Sequence, residues 1–310
     1  MRQSERRAYV SGTWSNLKTQ VRAFFMFCTH FDIIAVPASS DTVMLFAQFL
    51  SRSFSSPQSI KNYLNGVKFI HILLGHEFVH YKDAHFRMLF RGIERNLVHV
   101  PQRASPISID ILRRVGLVVD SHSELDLVCY TACLLLFFLM ARAGNVFYSD
   151  KDSGGGLLRK DVYFSDQDMF IRFRRTKTIQ FGRRVLVIPI RSNKSIICPV
   201  LACRRMIESI PGSRSQSLFL VRRGDTSVPL SKQAFLSHVR VLLSRAGVAD
   251  PSAFSCHSFR RGGASFAFSV GIPGEMIQIF GDWASDCYKL YLEVSMNKKI
   301  QFADQIASCV

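Results

Sequence analysis

The sequence predicts a mainly α protein with one small antiparallel β-sheet: an N-terminal helical domain followed by a C-terminal α+β domain. Three observations predict it. Apolar residues recur at three-to-four spacing through most of the first hundred residues. In the runs DVYFS, DMFIRFRR and RRVLVIPI, between residues 161 and 190, β-branched and aromatic residues take over and short polar turns separate them. The segment VHVPQRASPIS holds two prolines, small residues and a basic patch, and reads as a hinge. It places the domains at 1–104 and 105–310. A chain of 310 residues can build two real cores, and 48% apolar content with 26 phenylalanines excludes a disordered polymer.

The elements follow in order. Ser40 and Asp41 are candidate caps for TVMLFAQFLSR. Ser56 followed by Pro57 starts a helix, because proline is tolerated at the first helical position. QSIKNYLNGVKFIHILLG carries that helix to a stop at Gly75, and DAHFRMLFRGIERNL supplies another. Past the hinge, a helix begins near Ile109. The apolar window LVCYTACLLLFFLMA, residues 127–141, falls short of the ~20 residues a membrane span needs. It therefore predicts a buried helix, with no membrane partner, running into MARAGN. The three β-runs form an antiparallel sheet whose last turn, in RRTKTIQFG, holds Lys177. Helices resume with PVLACRRMIESI and with SKQAFLSHVRVLLSRAG, which has a Ser231 cap and a Gly247 stop. After these come the HSFRRGG helix, PGEMIQIFG, ASDCYKLYLEVS and NKKIQFADQIAS.

The formal charge is +17, and both halves share it: residues 1–105 hold 13 Lys/Arg against 6 Asp/Glu, the rest 27 against 17. Phosphate polymers and anionic lipid are the natural partners of such a surface. Between Arg172 and Arg223 there are 13 Lys/Arg and one acid, Glu208. On a projecting hairpin this density points to nucleic acid. Candidate DNA contacts are Arg172, Arg174, Arg175, Arg183 and Arg184, with Arg261 at the mouth of the HSFRRGG helix. The eight cysteines show neither C-x-x-C pairs nor zinc-like spacing with histidine. They read as reduced thiols. The start, MRQSERRAYVSGTW, shows no apolar secretion signal. The expected compartment is the nucleus if the source is eukaryotic, and the cytoplasm otherwise.

Several polar residues sit oddly on apolar elements. Arg142 ends the greasiest helix, and Lys177 tips a hairpin. His257 and Arg260 open a helix at i, i+3 and so share a face. A helix start already collects unpaired N–H groups and partial positive charge. Added cations there make sense if an anion sits in front. Tyr291 lies some thirty residues on. Two arginines, a lysine, a histidine and a tyrosine suit nucleophilic attack on a phosphodiester without a metal.

This ordered set resembles the tyrosine recombinase (phage-integrase-type) family over about residues 106–300. HSFRRGGA is similar to the family's His-x-x-Arg box, and MARAGNVF more loosely to its first-arginine box. The forms SFRRGGASFAFSVG and GDWASDCYKLYL look most like recombinases of eukaryotic mobile elements, of the Crypton or tyrosine-recombinase retrotransposon kind. The resemblance implies a SAM-like core-binding N-terminal domain and a catalytic C-terminal domain. It also implies double-stranded DNA as partner, a homotetramer on paired sites, and no cofactor. Arg142 and Arg260 would clamp the non-bridging oxygens of the scissile phosphate. His257 would act as general base or phosphate donor, and Lys177 would protonate the leaving 5′-oxygen. Tyr291, whose class has an ordinary pKa of about 10, would be the nucleophile.

Two positions stay open. Tyr288 competes with Tyr291; the family usually has His or Trp nine residues before the nucleophile, just after a Gly, and that register favours Tyr291. The same register puts Asp282 at the His/Trp place, with Trp283 following it. Trp283 would then supply its indole N–H as the third phosphate donor, the favoured reading, with packing for the tyrosine helix as the alternative. Asn145 also stands where many members carry an acid. The alternative function is a recombinase-derived DNA-binding protein that no longer cuts. A type IB topoisomerase would use the same chemistry without synapsis.

Overall fold

The computed structural model describes residues 8–78, 82–100, 103–148, 155–179, 184–292 and 296–308. The chain divides into two compact units, Met1–Gln102 and Arg103–Val310. The first is all helical, with α1 (Ser11–His30), α2 (Ser40–Ser51), α3 (Pro57–Leu73) and α4 (Ala84–Asn96). Side-chain oxygens start two of these helices. Ser39 Oγ accepts from the Thr42 amide at 3.1 Å. Asp83 Oδ1 accepts from the His85 and Phe86 amides at 2.7 and 3.3 Å. Each satisfies donors that a helix start leaves unpaired. The cap of α2 is thus Ser39, one residue before the expected Ser40. α3 has Pro57 in its first turn and gives way to Gly75, whose φ of +81° is the left-handed conformation that ends helices. Phe24, Phe46, Ile60, Leu64 and Val67 close the core. Fully buried His71 joins two elements there: Nε2 accepts from the Ala38 amide at 2.9 Å, and Nδ1 donates to Val67 O at 2.8 Å.

The second unit is α+β. It begins with α5 (Ile109–Val118), α6 (Glu124–Phe138) and a single turn α7 (Ala143–Val146). α6 is buried from Asp126 through Phe137, as the apolar window predicts. Its 15 residues rise only about 22 Å. Among the described residues no helix is long and apolar enough to cross a membrane. A 3-10 turn (Arg159–Asp161) leads into β1 (Val162–Phe164), β2 (Asp168–Phe173) and β3 (Leu186–Arg191), an antiparallel sheet in that order. Its register pairs Phe164 with Met169 and Phe173 with Leu186. α8 (Pro199–Ser209) follows, then a second hairpin, β4 (Leu220–Arg223) and β5 (Thr226–Pro229), which the sequence reading did not resolve.

The unit continues through α9 (Lys232–Arg245), α10 (Cys256–Ser269), α11 (Gly274–Phe280), a 3-10 segment (Asp286–Tyr291) and α12 (Met296–Ala307). α6 is the hub, packed by α8, α9 and α10. The two glycines of HSFRRGG allow α10 to approach two backbones, Gly263 that of α6 and Gly262 that of the segment before α5. A Cβ on Gly262 would stand 1.9 Å from Ile107 O, and one on Gly263 would stand 2.1 Å from Phe137 O. Only a residue without a side chain permits that approach. Buried Asp126 adds polar ties from α6 to α9, accepting from His238 Nε2 at 2.6 Å and Arg245 Nη1 at 2.8 Å.

Candidate functional site

α10 sets the first part of the site. Ser255 Oγ accepts from the His257 amide at 3.2 Å, and Ser258 Oγ accepts from the Ser255 amide at 2.9 Å. This reciprocal cap fixes where the helix begins. His257 is thereby left exposed, while Arg260, one turn on, enters the core and is 1% exposed. The Arg260 guanidinium donates through Nη1 to Met140 O, and to Gly281 O at 2.7 Å. The Trp283 ring lies against it, 3.6 Å from Cζ to the ring centroid. Arg260 Nη2 is buried and has no acceptor among the described residues. A buried donor in this state favours an incoming anion.

A short turn, Gly281-Asp282-Trp283, organises the rest. Gly281 has no room for a side chain, since a Cβ there would stand 1.7 Å from the Trp283 ring. Asp282 adopts φ +54°, an uncommon conformation for a residue with a Cβ. Arg142, the residue that starts α7, donates from Nη1 to Asp282 O at 3.2 Å and lies 3.8 Å from Asp282 Oδ2. Both candidate clamp arginines are therefore held by successive carbonyls of one turn: Arg260 by Gly281, Arg142 by Asp282.

The turn also holds the β2–β3 hairpin. Thr176 Oγ1 donates to Asp282 Oδ2 at 2.5 Å, and Thr178 Oγ1 donates to the same oxygen. From the returning arm, Arg184 Nη2 donates to Asp282 Oδ1 at 2.6 Å. Lys177, between the two threonines, is exposed.

The two tyrosines differ. Tyr288 is 5% exposed, wedged so that its hydroxyl would lie 2.6 Å from a Cβ on Gly274. Tyr291 is half-buried at the end of the 3-10 segment. Its ring centroid is 5.9 Å from that of Trp283, and its carbonyl accepts from Ser265 Oγ on α10 at 2.5 Å. The segment is 3-10 rather than the expected helix.

Electrostatics tie the group together. Burial, and then the charge of Arg142, lower the pKa of Arg260 to about 9, against the opposing pull of Tyr291, Asp282 and Cys287. Arg260 still keeps its charge at neutral pH. The pKa of His257 is also lowered, first by the protein crowding the inner side of its otherwise exposed ring and then by Arg260, Lys232 and Arg142. Arg142, Arg260, Trp283 and Tyr291 thus gather around the 281–283 turn, with the Lys177 loop bound to it, and His257 lies one helical turn before Arg260 on α10.

The candidate DNA contacts are held in different places. Arg174 forks onto the buried Asp161 through Nε at 2.9 Å and Nη2 at 2.8 Å. Arg172 Nη2 lies 3.5 Å from the same carboxylate, and its guanidinium lies over the Tyr163 ring. These two, expected as DNA contacts, fasten the sheet to the 3-10 turn beside it. The cause is register: alternate residues of β2 share a face, and Asp161 sits beside that face. Arg184, expected on DNA, pairs with Asp282, and Arg261 donates to Ala104 O at 2.9 Å. Arg175 is exposed, and Arg183 lies outside the described residues. Trp283 packs under Arg260 and beside both tyrosines. The sequence missed Thr176, Thr178 and Asp161. The Thr-Lys-Thr pattern was a usable signal for the threonines, because short hydroxyls flanking one residue can fasten both its sides. Among the described residues no three His, Cys, Asp or Glu side chains gather as a metal site, and all the cysteines are free thiols.

No family sequence model matches the chain, and no curated protein sequence does. Solved structures do. XerH site-specific recombinase bound to its difH substrate aligns with a TM-score of 0.57 at 10% identity, over 94% of this chain and 78% of that one. The Tn1549 transposon integrase in complex with circular intermediate DNA aligns at 0.56 and 12% identity, over 87% and 86%. A lambda integrase dimer bound to a COC′ core site aligns at 0.55 and 14% identity, over 93% and 73%. At these identities the likeness is one of architecture, and it extends through both units: the chain has the fold of the tyrosine recombinases and integrases.

Proposed function

We propose that the protein cleaves and rejoins DNA strands through a covalent 3′-phosphotyrosyl intermediate. One observation carries the reading: Arg142, Arg260 and Tyr291 surround a single turn to which the Lys177 loop is bound, with His257 one helical turn before Arg260. The shared fold with DNA-bound recombinases supports it. Tyr291 Oη attacks the phosphorus, and its proton passes to His257. The phosphorus–O5′ bond breaks, and Lys177 gives O5′ a proton. Arg142 and Arg260 hold the extra negative charge of the five-coordinate state. One phosphodiester replaces another, so a 5′-hydroxyl can reverse the step with no ATP or metal in the balance.

Tyr291 is the better nucleophile because Tyr288 is sealed against α11 and Trp283. The finer likeness to recombinases of eukaryotic mobile elements rests on SFRRGGASFAFSVG and GDWASDCYKLYL alone. Action as a tetramer on paired sites belongs to the same proposal, as does a nuclear location if the source is eukaryotic and a cytoplasmic one otherwise.

The test is covalent capture from a randomised pool of nicked duplexes. The parent and Tyr288→Phe are expected to form a protein–DNA adduct, and Tyr291→Phe to form none. An adduct that survives Tyr291→Phe overturns the nucleophile. Salt-sensitive binding with no adduct from the parent overturns cleavage and leaves a DNA-binding protein.

A further inference from the structure

The carboxylate of Asp282 is 4% exposed and receives groups from three separate parts of the second unit. Arg142 approaches to 3.8 Å from the start of α7, Thr176 and Thr178 bond from the outgoing arm of the β2–β3 hairpin, and Arg184 from its returning arm. A carboxylate has about four acceptor positions. Arg184 occupies Oδ1, and both threonines converge on Oδ2. One buried group therefore grips the hairpin by both arms. The residue between the two gripping threonines is Lys177. Thr176 Oγ1 is itself fixed by the Thr178 and Ile179 amides, at 3.2 and 3.1 Å, so the loop is bound locally as well as at a distance.

We propose that Asp282 is a positioning residue for Lys177. It anchors the backbone on either side of the lysine to the turn that also carries Arg142 and Arg260, so the proton donor and the phosphate clamp share one support. Lysine has a flexible four-carbon stem. Fixing its Cα restricts where the ammonium can go, and general acids lose efficiency quickly when misplaced. The inference rests on the recombinase reading above, and it gives a use to the carboxylate that stands where a phosphate donor was expected.

The test separates proton donation from everything else at the site. A duplex captured from the randomised pool is made in two forms: one with the ordinary 5′-oxygen at the scissile phosphate, one with a bridging 5′-sulfur. A thiolate leaves without a proton, because thiols ionise near pH 8.5. Lys177→Ala and the double variant Thr176→Val/Thr178→Val are expected to cleave the oxygen DNA about 100-fold more slowly, the usual scale of a general acid. On the sulfur DNA both are expected to stay within about threefold of the parent, since no acid is needed there. Equal loss on both DNAs, or no loss on the oxygen DNA, overturns the role.

A second measurement reads the anchor without cleavage. In Asp282→Ala the amides of 176–179 are expected to exchange hydrogen faster while those of α10 do not change. Unchanged exchange at 176–179 overturns the anchor. A parent that cleaves neither DNA overturns the recombinase reading, and this role with it. A parent that cleaves both while the variants behave otherwise than stated overturns only the role of Asp282.

Discussion

His257 shows how one residue's surroundings set its chemistry. It sits on the first turn of α10 with Arg260, Lys232 and Arg142 as cationic neighbours, and its pKa is lowered. The sign follows: the neutral imidazole, able to take a proton, persists as the pH falls below the ordinary histidine value of about 6.5. Single-turnover cleavage is therefore expected to lose its acid side only below about pH 6.5, and His257→Gln to lack that limb. A limb centred above that value contradicts the assignment. At this scale the sequence was readable where a residue's partner lies close along the chain. The Ser255 cap and the Pro57 start are local. Asp282 showed itself only as a departure, because its threonine partners lie about a hundred positions upstream. The ties of Arg172 and Arg174 were hidden for a related reason: a density of arginine says nothing about a buried Asp161 beside the strand.

At the scale of elements, the sequence yielded most helices and the three-stranded sheet because caps and periods are written in adjacent residues. It named no boundaries for α1 and missed the β4–β5 hairpin, whose turn uses Gly224 at φ +57°. It overextended the Tyr291 segment as well, since a 3-10 turn has nearly the same apolar spacing as an α-helix. The α6–α9 contact makes the element-level prediction. Burial alone would raise the pKa of Asp126. The Asp120 amide, His238 and Arg245 outweigh it, and the carboxyl ends below its ordinary value. Such a group adds stability above the unfolded aspartate value of about 3.9, and that contribution fades as the pH falls through the folded value. Asp126→Ala is expected to lower stability at pH 7 by about 3 kcal/mol, the usual cost of breaking a buried pair. In thermal melts the gap from the parent should narrow below about pH 4. A gap that stays constant with pH assigns the loss to packing alone.

The whole molecule carries +17, distributed over both units. Binding to duplex DNA is expected to weaken linearly in log–log form with salt, by about 0.9 per phosphate neutralised. Arg175→Ala should reduce that slope by about one. Arg174→Ala should lower the melting temperature and leave the slope unchanged, because its fork on Asp161 secures the sheet. Identical effects from both variants would show that the two arginines share one role. The structure also supplies a reporter for such titrations. There are only two tryptophans, Trp14 in the first unit and Trp283 beneath Arg260. With Trp14 changed to Phe, all indole emission comes from a ring in face contact with one guanidinium. An anion drawing that guanidinium aside changes the light emitted, so phosphate occupancy can be followed optically even in protein unable to cut.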